Sequence, residues 1–483
     1  QIPGPRPPQP APRPANPALT AAHRLPPGYP APPGGAFPPG YPMFAPPPPR
    51  RRRNGTLVAV VLILVLAAAA AIPVTALFAS GQTGSVAEPE VSLYPSPTEG
   101  DPPEVREKWL SQQVELQLDS HAEALFEDDL DAWLDVFDPS LHDVMEDRFD
   151  TLRNMAVSQY DYQVLEGPID AEEGVVGYRL GVVYCFGGEV GEECASSAVV
   201  LDTEWSDEDS ELRMTEVSDS HEVGPRPWET DYLEAEVGER AIVAAPRKYA
   251  DKLAEAVEVA DEAAANADEY AVYVPVERYV VYLAGEEEFD RWFGFGADSM
   301  TNVVGFAVPL PTLDDEGEQV PGGSEVVMHA ERTRDSFEFE STMRHELGHV
   351  ATLNQAPDER YSEDRWWLAE GIAELIDHGP ENSLDAYPRN RDVEQYLSGS
   401  DWDRDFAAAS NSDDALTGSA KYGIAFYGAY YVFNEYGKDE FMEFFGKIAR
   451  EGADSEEAAQ EVYGKSYSDL LDEMADFVED EAG

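Results

Sequence analysis

Cysteine is almost absent from this 483-residue chain, which contains only Cys185 and Cys194. A cysteine-rich zinc site is therefore excluded, because no further cysteine and no nearby histidine completes four ligands around this pair. The two residues flank a glycine-rich turn at 186–191. In an oxidising compartment we expect them to form a disulfide that staples a hairpin.

Basic residues are also scarce, with 33 Lys and Arg against 96 Asp and Glu. The first 79 residues hold 7 arginines and no acidic residue, which leaves 26 basic and 96 acidic groups, a net charge of −70, on the following 404 residues. Phosphate recognition needs the opposite sign, so nucleic acid is not an expected partner. A solvated acidic surface is the simplest explanation of the charge, and attraction of cationic substrates is an alternative.

Charge is missing altogether from residues 57–79, a run of 23 mostly apolar residues. As a helix this run is about 34 Å long, which is enough to cross a bilayer. Residues 1–56, rich in Pro, Gly and Ala, cannot bury a core and predict a disordered tail. The tail ends near four arginines at 50–53, which favour the cytoplasmic side.

We therefore predict a single-pass membrane protein with a cytoplasmic N-terminus and an extracytoplasmic remainder. A cleaved signal peptide is the competing interpretation, because Val74, Thr75 and Ala76 would make a small-residue cleavage site. The long polar segment before the apolar run favours an uncleaved anchor. In both cases the globular part is exported.

A first folded unit is predicted at 104–220, after a Pro/Ser/Glu-rich linker at 80–103. Apolar residues recur at helical spacing up to about Met155. Strand-like segments follow at 160–164, 175–184, 196–205 and 212–217. This order predicts a small α+β accessory domain and is similar to the cone of nuclear-transport-factor-like domains. His121 and His142 are interpreted as packing or surface residues.

The second unit is predicted at 240–483, after an interdomain linker at 221–239 that contains two prolines. Strands and helices alternate in its first half, whereas its sequence from Phe337 onward is mainly helical. Residues 325–329 are interpreted as an edge strand that can pair with an extended peptide. An acidic loop containing Gly322 and Gly323 is expected to be flexible.

The sequence His345-Glu346-Leu347-Gly348-His349 has the pattern H-E-x-x-H. On a helix the two imidazoles lie one turn apart on one face and can bind one metal ion, while the glutamate reaches a water on that ion. Phe339, Met343, Leu347 and Val350 fall on the opposite face and are expected to pack. Gly348 is a poor helix former, which indicates that another segment approaches the backbone there.

Two histidines leave zinc without a third protein ligand. The extended pattern with a third histidine is absent, because Thr352 and Gln355 occupy its later positions. Instead the segment Trp366-Trp367-Leu368-Ala369-Glu370-Gly371-Ile372-Ala373-Glu374 follows. With this second motif, the chain from about 240 to 483 resembles the gluzincin metallopeptidases of the thermolysin and membrane-aminopeptidase clan.

The resemblance implies a zincin-like domain with an N-terminal mixed sheet and a mostly helical C-terminal half. It also implies one Zn²⁺ per chain, with His345, His349 and Glu370 as ligands and Glu346 as general base. Glu374 would hold the other ring nitrogen of His345, although a solvated surface acid is the alternative. Tyr422 is the candidate oxyanion donor, with a core aromatic residue as its alternative. The aminopeptidase signature for a free substrate amine is absent.

The sequence therefore predicts a membrane-anchored, extracytoplasmic zinc metallopeptidase that hydrolyses peptide bonds in a peptide or protein substrate. A catalytically inactive envelope scaffold on a peptidase-like fold is the main alternative. A metal-dependent hydrolase of non-peptide wall components is a second one.

Overall fold

The computed structural model describes residues 93–98, 100–172, 174–188, 190, 194–206, 212–219, 224–293, 303–331, 336–357, 365–399, 402–410 and 413–482. The predicted cytoplasmic tail, 1–56, and the predicted span, 57–79, lie outside these residues. Within them, no helix is both long enough and apolar enough to cross a membrane.

The first unit has the predicted order of helices followed by an antiparallel sheet. Its helices are α1 (Pro103–Glu127), α2 (Leu130–Asp135) and α3 (His142–Asn154). Its strands pair in chain order as β1 (Val157–Glu172), β2 (Val175–Phe186), β3 (Ser197–Ser206) and β4 (Arg213–Asp219). His121 is buried and stacks on Trp133 with ring centroids 3.6 Å apart, so it packs as expected.

The predicted disulfide is confirmed between Cys185 near the end of β2 and Cys194 shortly before β3. The bond joins β2 to the segment that leads into β3, the neighbouring antiparallel strand of the first sheet. It therefore constrains Ala195 and Ser196, the two residues between the disulfide and the start of β3.

The interdomain linker predicted at 221–239 is wrong over most of its described length. It contains α4 (Pro227–Thr230) and β5 (Leu233–Val237), and β5 pairs with the following strand of the second sheet. Trp228 and Leu233 are almost fully buried, and the Leu233 N–H donates to Thr151 Oγ1 of α3 at 3.0 Å. The prolines suggested a loop, but these two apolar side chains anchor the segment between the units.

The second unit begins with a five-stranded mixed sheet in the order β5, β6, β7, β9, β8. Its further strands are β6 (Ala241–Pro246), β7 (Tyr279–Ala284), β8 (Gly305–Leu313) and β9 (Gln319–His329). Strands β6, β7 and β9 are parallel, whereas β5 and β8 are antiparallel and lie at the two edges. Helix α5 (Leu253–Asp268) connects β6 to β7, and α6 (Glu286–Phe293) follows β7.

The prediction that residues 325–329 form an edge strand is also wrong. These residues belong to β9, which pairs with β7 on one side and with β8 on the other. A short turn joins β8 to β9, and in it Asp314 accepts hydrogen bonds from the Glu316 and Glu318 N–H groups. Strand β8 is the edge, which suits its Pro309 and Pro311 because proline cannot donate to a neighbouring strand. Gly322 and Gly323, expected in a flexible loop, lie within β9.

The C-terminal half is helical, as predicted. Its helices are α7 (Ser336–Leu353), α8 (Trp366–His378), α9 (Asn390–Gly399), α10 (Ala415–Tyr436), α11 (Lys438–Phe445), α12 (Ser455–Val462) and α13 (Tyr467–Ala482). Helices α8 and α10 contribute to one apolar core. The residue that brings them close is Gly371, where an added Cβ would lie 2.5 Å from the carbonyl oxygen of Ala425.

The two units share a core because the five-stranded sheet is buried on both faces. One face packs on α5 and α7 through residues such as Val281 and Val326. The other face packs on the first sheet, where Val182 and Val199 join the same cluster as Tyr282. The second sheet therefore lies between the first sheet on one side and the helices α5 and α7 on the other. The first unit, called the accessory unit below, covers apolar surface of the second unit.

A buried carboxylate lies at this junction. Tyr184 of the first unit donates to Glu325 Oε1 at 3.2 Å, and Tyr282 donates to the same oxygen at 3.4 Å. Burial raises the pKa of Glu325 to about 7, although Arg226 and the two tyrosines oppose the shift. The carboxyl group is thus more easily protonated when the units are packed together.

Separating the units should expose the apolar face of the second sheet. We expect residues 224–483, expressed without the first unit, to bind a hydrophobic dye and aggregate, whereas 93–483 remains monodisperse. Size-exclusion chromatography and dye fluorescence measure the difference. A monodisperse fragment with a cooperative unfolding transition would contradict the shared core.

Glu325 should make stability depend on pH. Its pKa is about 7 in the folded protein against 4.5 ordinarily, so folding binds a proton between these values and the free energy of unfolding falls as pH rises through this window. The loss should approach about 3 kcal/mol. Urea unfolding at pH 5 and pH 8 should show that Glu325→Gln removes this loss. The exposed Glu318→Gln is the matched control, and an equal pH effect in both variants would contradict the assignment.

Candidate metal centre

Helix α7 presents its two faces as the motif predicts. Phe339, Met343, Leu347 and Val350 are buried against the second sheet and α5. An added Cβ on Gly348 would lie 3.2 Å from Ile376 Cδ1 and 3.5 Å from the Cα of Ala373, so the predicted close approach is made by α8.

Helix α8 brings Glu370 to the two histidines. Glu370 Oε2 lies 3.2 Å from His345 Nε2 and 3.3 Å from His349 Nε2, and the two nitrogens are 3.1 Å apart. Glu370 and His349 are buried, with 1% and 4% of their surface exposed. The three atoms therefore form a nearly equilateral triangle inside the protein.

This triangle fits the donor set of one zinc ion. Three donors at about 2.0 to 2.2 Å from one tetrahedral ion lie roughly 3.3 to 3.6 Å apart, within a few tenths of an ångström of the observed spacing. Glu370 Oε1 is buried, and none of the described residues is a hydrogen-bond partner for it. A buried carboxylate oxygen without a partner is costly unless a cation or a water satisfies it.

The electrostatics of the site also favour a cation. Burial disfavours a charged His345, but the hydrogen bond to Glu370 and the charges of Glu346 and Glu374 outweigh it and raise its pKa to about 9. Burial acts to raise the pKa of Glu370, but His349 and His345 lower it to about 2. Three buried carboxylates thus surround two imidazoles, and a divalent ion would compensate their charge.

Glu346 is held in place by the edge strand of the second sheet. Its Oε2 accepts the backbone N–H of Ala307 in β8 at 2.9 Å. Burial raises the pKa of Glu346, whereas the adjacent His345 and His349 lower it. The carboxylate lies next to the candidate ligands and is oriented by a backbone donor.

Glu374 lies behind His345, opposite Glu370. Its Oε1 is 3.5 Å from His345 Nδ1, and its Oε2 accepts the hydroxyl of Tyr387 at 2.6 Å. Arg389 Nε donates to Glu374 Oε1 at 3.1 Å. Tyr387 and Arg389 were not among the predicted site residues, because they follow α8 in a segment without helical or strand periodicity.

Tyr422 of α10 borders the site. Its ring centroid is 6.3 Å from that of His345, and Arg389 Cζ lies 5.3 Å from the ring. Trp366 packs on the ring edge-to-face at 4.9 Å. Burial raises the pKa of Tyr422 well above its usual value, so its hydroxyl keeps its proton. Tyr422 is thus both a packed aromatic residue and a neighbour of the candidate ligands.

Two other residues near the motif have separate partners. Asp377 pairs with Arg344 Nε at 2.9 Å and accepts the hydroxyl of Ser341 at 2.6 Å. His378 Nε2 lies 3.2 Å from the Ser383 carbonyl oxygen. Within the described residues, the triad His345, His349 and Glu370 is the group of three or more potential ligands that lie close enough to share an ion.

Comparison with known proteins adds no relative. No protein-family model matches the chain, and no curated protein matches its sequence. The chemical interpretation of the site therefore depends on its own residues and distances.

Zinc retention should follow the geometry of the triad. We expect the native chain to retain about one zinc, and Glu370→Ala or His349→Ala to lose it. Glu374→Gln should weaken zinc binding roughly 10- to 100-fold, as for other carboxylates that orient a histidine ligand. Competition with a chromophoric chelator measures these affinities.

His378→Ala is the matched control, because this histidine lies on the same helix as Glu370 but outside the triad. Equal zinc content in Glu370→Ala and His378→Ala would contradict the ligand assignment.

Proposed function

We propose that this chain is a membrane-anchored, extracytoplasmic zinc metallopeptidase. The observation that carries the proposal is the triangle of His345, His349 and Glu370 donors, with Glu346 beside it on the helix that carries the two histidines. The attachment to the membrane and the extracytoplasmic location rest on the sequence of residues 50–79 alone.

Zinc held by this triad would supply a water of lowered pKa and an electrophile for the scissile carbonyl. Glu346 would accept the proton of the attacking water and return it to the leaving amine. The Ala307 N–H keeps one carboxylate oxygen oriented, which leaves the other to face the reacting atoms. Burial in a dry site raises the pKa of Glu346 and so suits a group that holds the proton between the two transfers.

Tyr422 would contribute a proton-bearing hydroxyl at the edge of the site. Because its pKa is raised, the hydroxyl can donate a hydrogen bond to a carbonyl oxygen as negative charge develops there. The edge strand β8, rather than the predicted residues 325–329, is the segment with which an extended substrate would pair. These features together support hydrolysis of peptide bonds without a covalent intermediate.

The role of Glu346 can be separated from metal binding by one substitution. We expect Glu346→Gln to lower the rate of peptide hydrolysis roughly 10²- to 10⁴-fold while zinc content stays the same, because the amide cannot accept the proton. Hydrolysis of a diverse peptide mixture is followed by mass spectrometry, with and without chelator.

The exposed Glu338→Gln on the same helix is the control and should retain full activity. A zinc-loaded native chain that cleaves no peptide would overturn the proposal. It would then favour a binding or scaffold protein, or, if isolated envelope polymers are degraded, a hydrolase of non-peptide bonds.

A further inference from the structure

Three segments of the molecule meet at Gly322 and Gly323 in β9. The Gly323 N–H donates to the Ser196 carbonyl oxygen at 2.9 Å, and Gln355 N–H donates to the Gly322 carbonyl oxygen at 3.1 Å. Ser196 belongs to the first unit, just after the disulfide at Cys194. Gln355 lies just after α7, the helix that carries the histidines. One backbone junction therefore links the accessory unit, the β8–β9 hairpin and the motif helix.

The junction requires glycine. An added Cβ on Gly323 would lie 2.6 Å from the Ala195 carbonyl oxygen and 3.1 Å from Ser197 Oγ, both in the first unit. An added Cβ on Gly322 would lie 2.6 Å from the Ser196 carbonyl oxygen. Backbone thus packs directly on backbone, with no flexible side chain between the units to absorb a displacement.

The same segment of the first unit also holds β8. Ser196 Oγ lies 3.0 Å from Thr312 Oγ1. The next residue, Leu313, packs into a small cluster with Val183 and Ala198 of the first sheet. Both strands of the hairpin are consequently attached to the accessory unit at the end distant from the metal centre.

The opposite end of β8 reaches Glu346. Thr312 and Ala307 lie on the same strand, about 17 Å apart at roughly 3.3 Å per residue. Their strand is paired with β9 on both sides of one register shift between Pro309 and Pro311, for example Ala307 with Val326 and Thr312 with Val320. A paired hairpin transmits a shift at one end to the other, so the position of the Ala307 N–H depends on how the hairpin is held.

We propose that the Ala195–Ser196 segment of the accessory unit is a positioning element of the metal centre. By holding Gly323 and Thr312 it fixes β8, and β8 in turn fixes the N–H that orients Glu346. The disulfide at Cys194 holds this segment at its N-terminal end. The proposal rests on the proposed peptidase function for its effect on rate, but the coupling itself is a property of the structure.

Gly323→Ala is the most selective test, because the three atoms nearest to its added Cβ all belong to the first unit. We expect kcat for peptide hydrolysis to fall about 10-fold, since small misplacements of catalytic groups are costly. KM and zinc content should stay within about twofold of the native values, and amide hydrogen exchange in 303–313 should accelerate. Gly399→Ala is the matched control, because nothing lies within 4 Å of the added Cβ.

Two milder changes keep the test decisive if Gly323→Ala does not fold. Ser196→Ala removes the hydroxyl that faces Thr312, and mild reduction releases Cys194 from Cys185. Each should accelerate exchange in 303–313 and lower kcat while zinc is retained. Native exchange and native kcat in all of these variants would overturn the proposal.

The exchange measurement also separates this inference from the proposed function. A native chain that binds zinc but cleaves no peptide would defeat the peptidase proposal, yet accelerated exchange in Gly323→Ala would still support the coupling. Active protein with unchanged exchange and rate in the variants would defeat only the coupling.

Discussion

The close approach of helices α7 and α8 at Gly348 is the constraint on which the candidate site depends. An added Cβ at this position would lie 3.2 Å from Ile376 Cδ1, which is closer than an ordinary contact, so glycine suits this crossing of the two helices. At this spacing Glu370 Oε2 lies within 3.3 Å of both imidazoles. Gly371 has the same role in the next layer, where α10 packs and brings Tyr422 to the site. Two glycines thus allow the close spacing of helices α7, α8 and α10, and this spacing brings the candidate ligands and Tyr422 together.

The elements of the structure that were predictable are those encoded by local spacing. The separation of His345 and His349 places both imidazoles on one helix face. The third candidate ligand, Glu370, could be predicted because residues 366–374 resemble the gluzincin motif. Tyr387 and Arg389 were not predictable, because their position depends on how an irregular segment returns to α8. The linker prediction failed at Trp228 and Leu233 for a related reason: burial between two units leaves no periodic signal in a short stretch.

Burial on both faces explains why the second sheet looks so apolar in a strongly acidic protein. Strands β6 and β7 consist entirely of buried residues, as in sheets that are covered on both sides. The net charge of −70 belongs to residues 80–483 as a whole. Within the part of the chain that the structure describes, the accessory unit covers what would otherwise be an exposed face of the second sheet. The folding of the two units is linked by the apolar cluster between their sheets and by the hydrogen bonds that Tyr184 and Tyr282 donate to Glu325.

The prolines of β8 have a consequence for self-association. The Ala307 N–H points away from β9 and is used by Glu346, and strand alternation places Pro309 on the same outward side. The outer edge of β8 therefore has no backbone donor at Pro309 or Pro311, and strand addition is restricted to the half next to the metal centre. At high local concentration this edge is therefore protected from the sheet-to-sheet pairing that leads to aggregation.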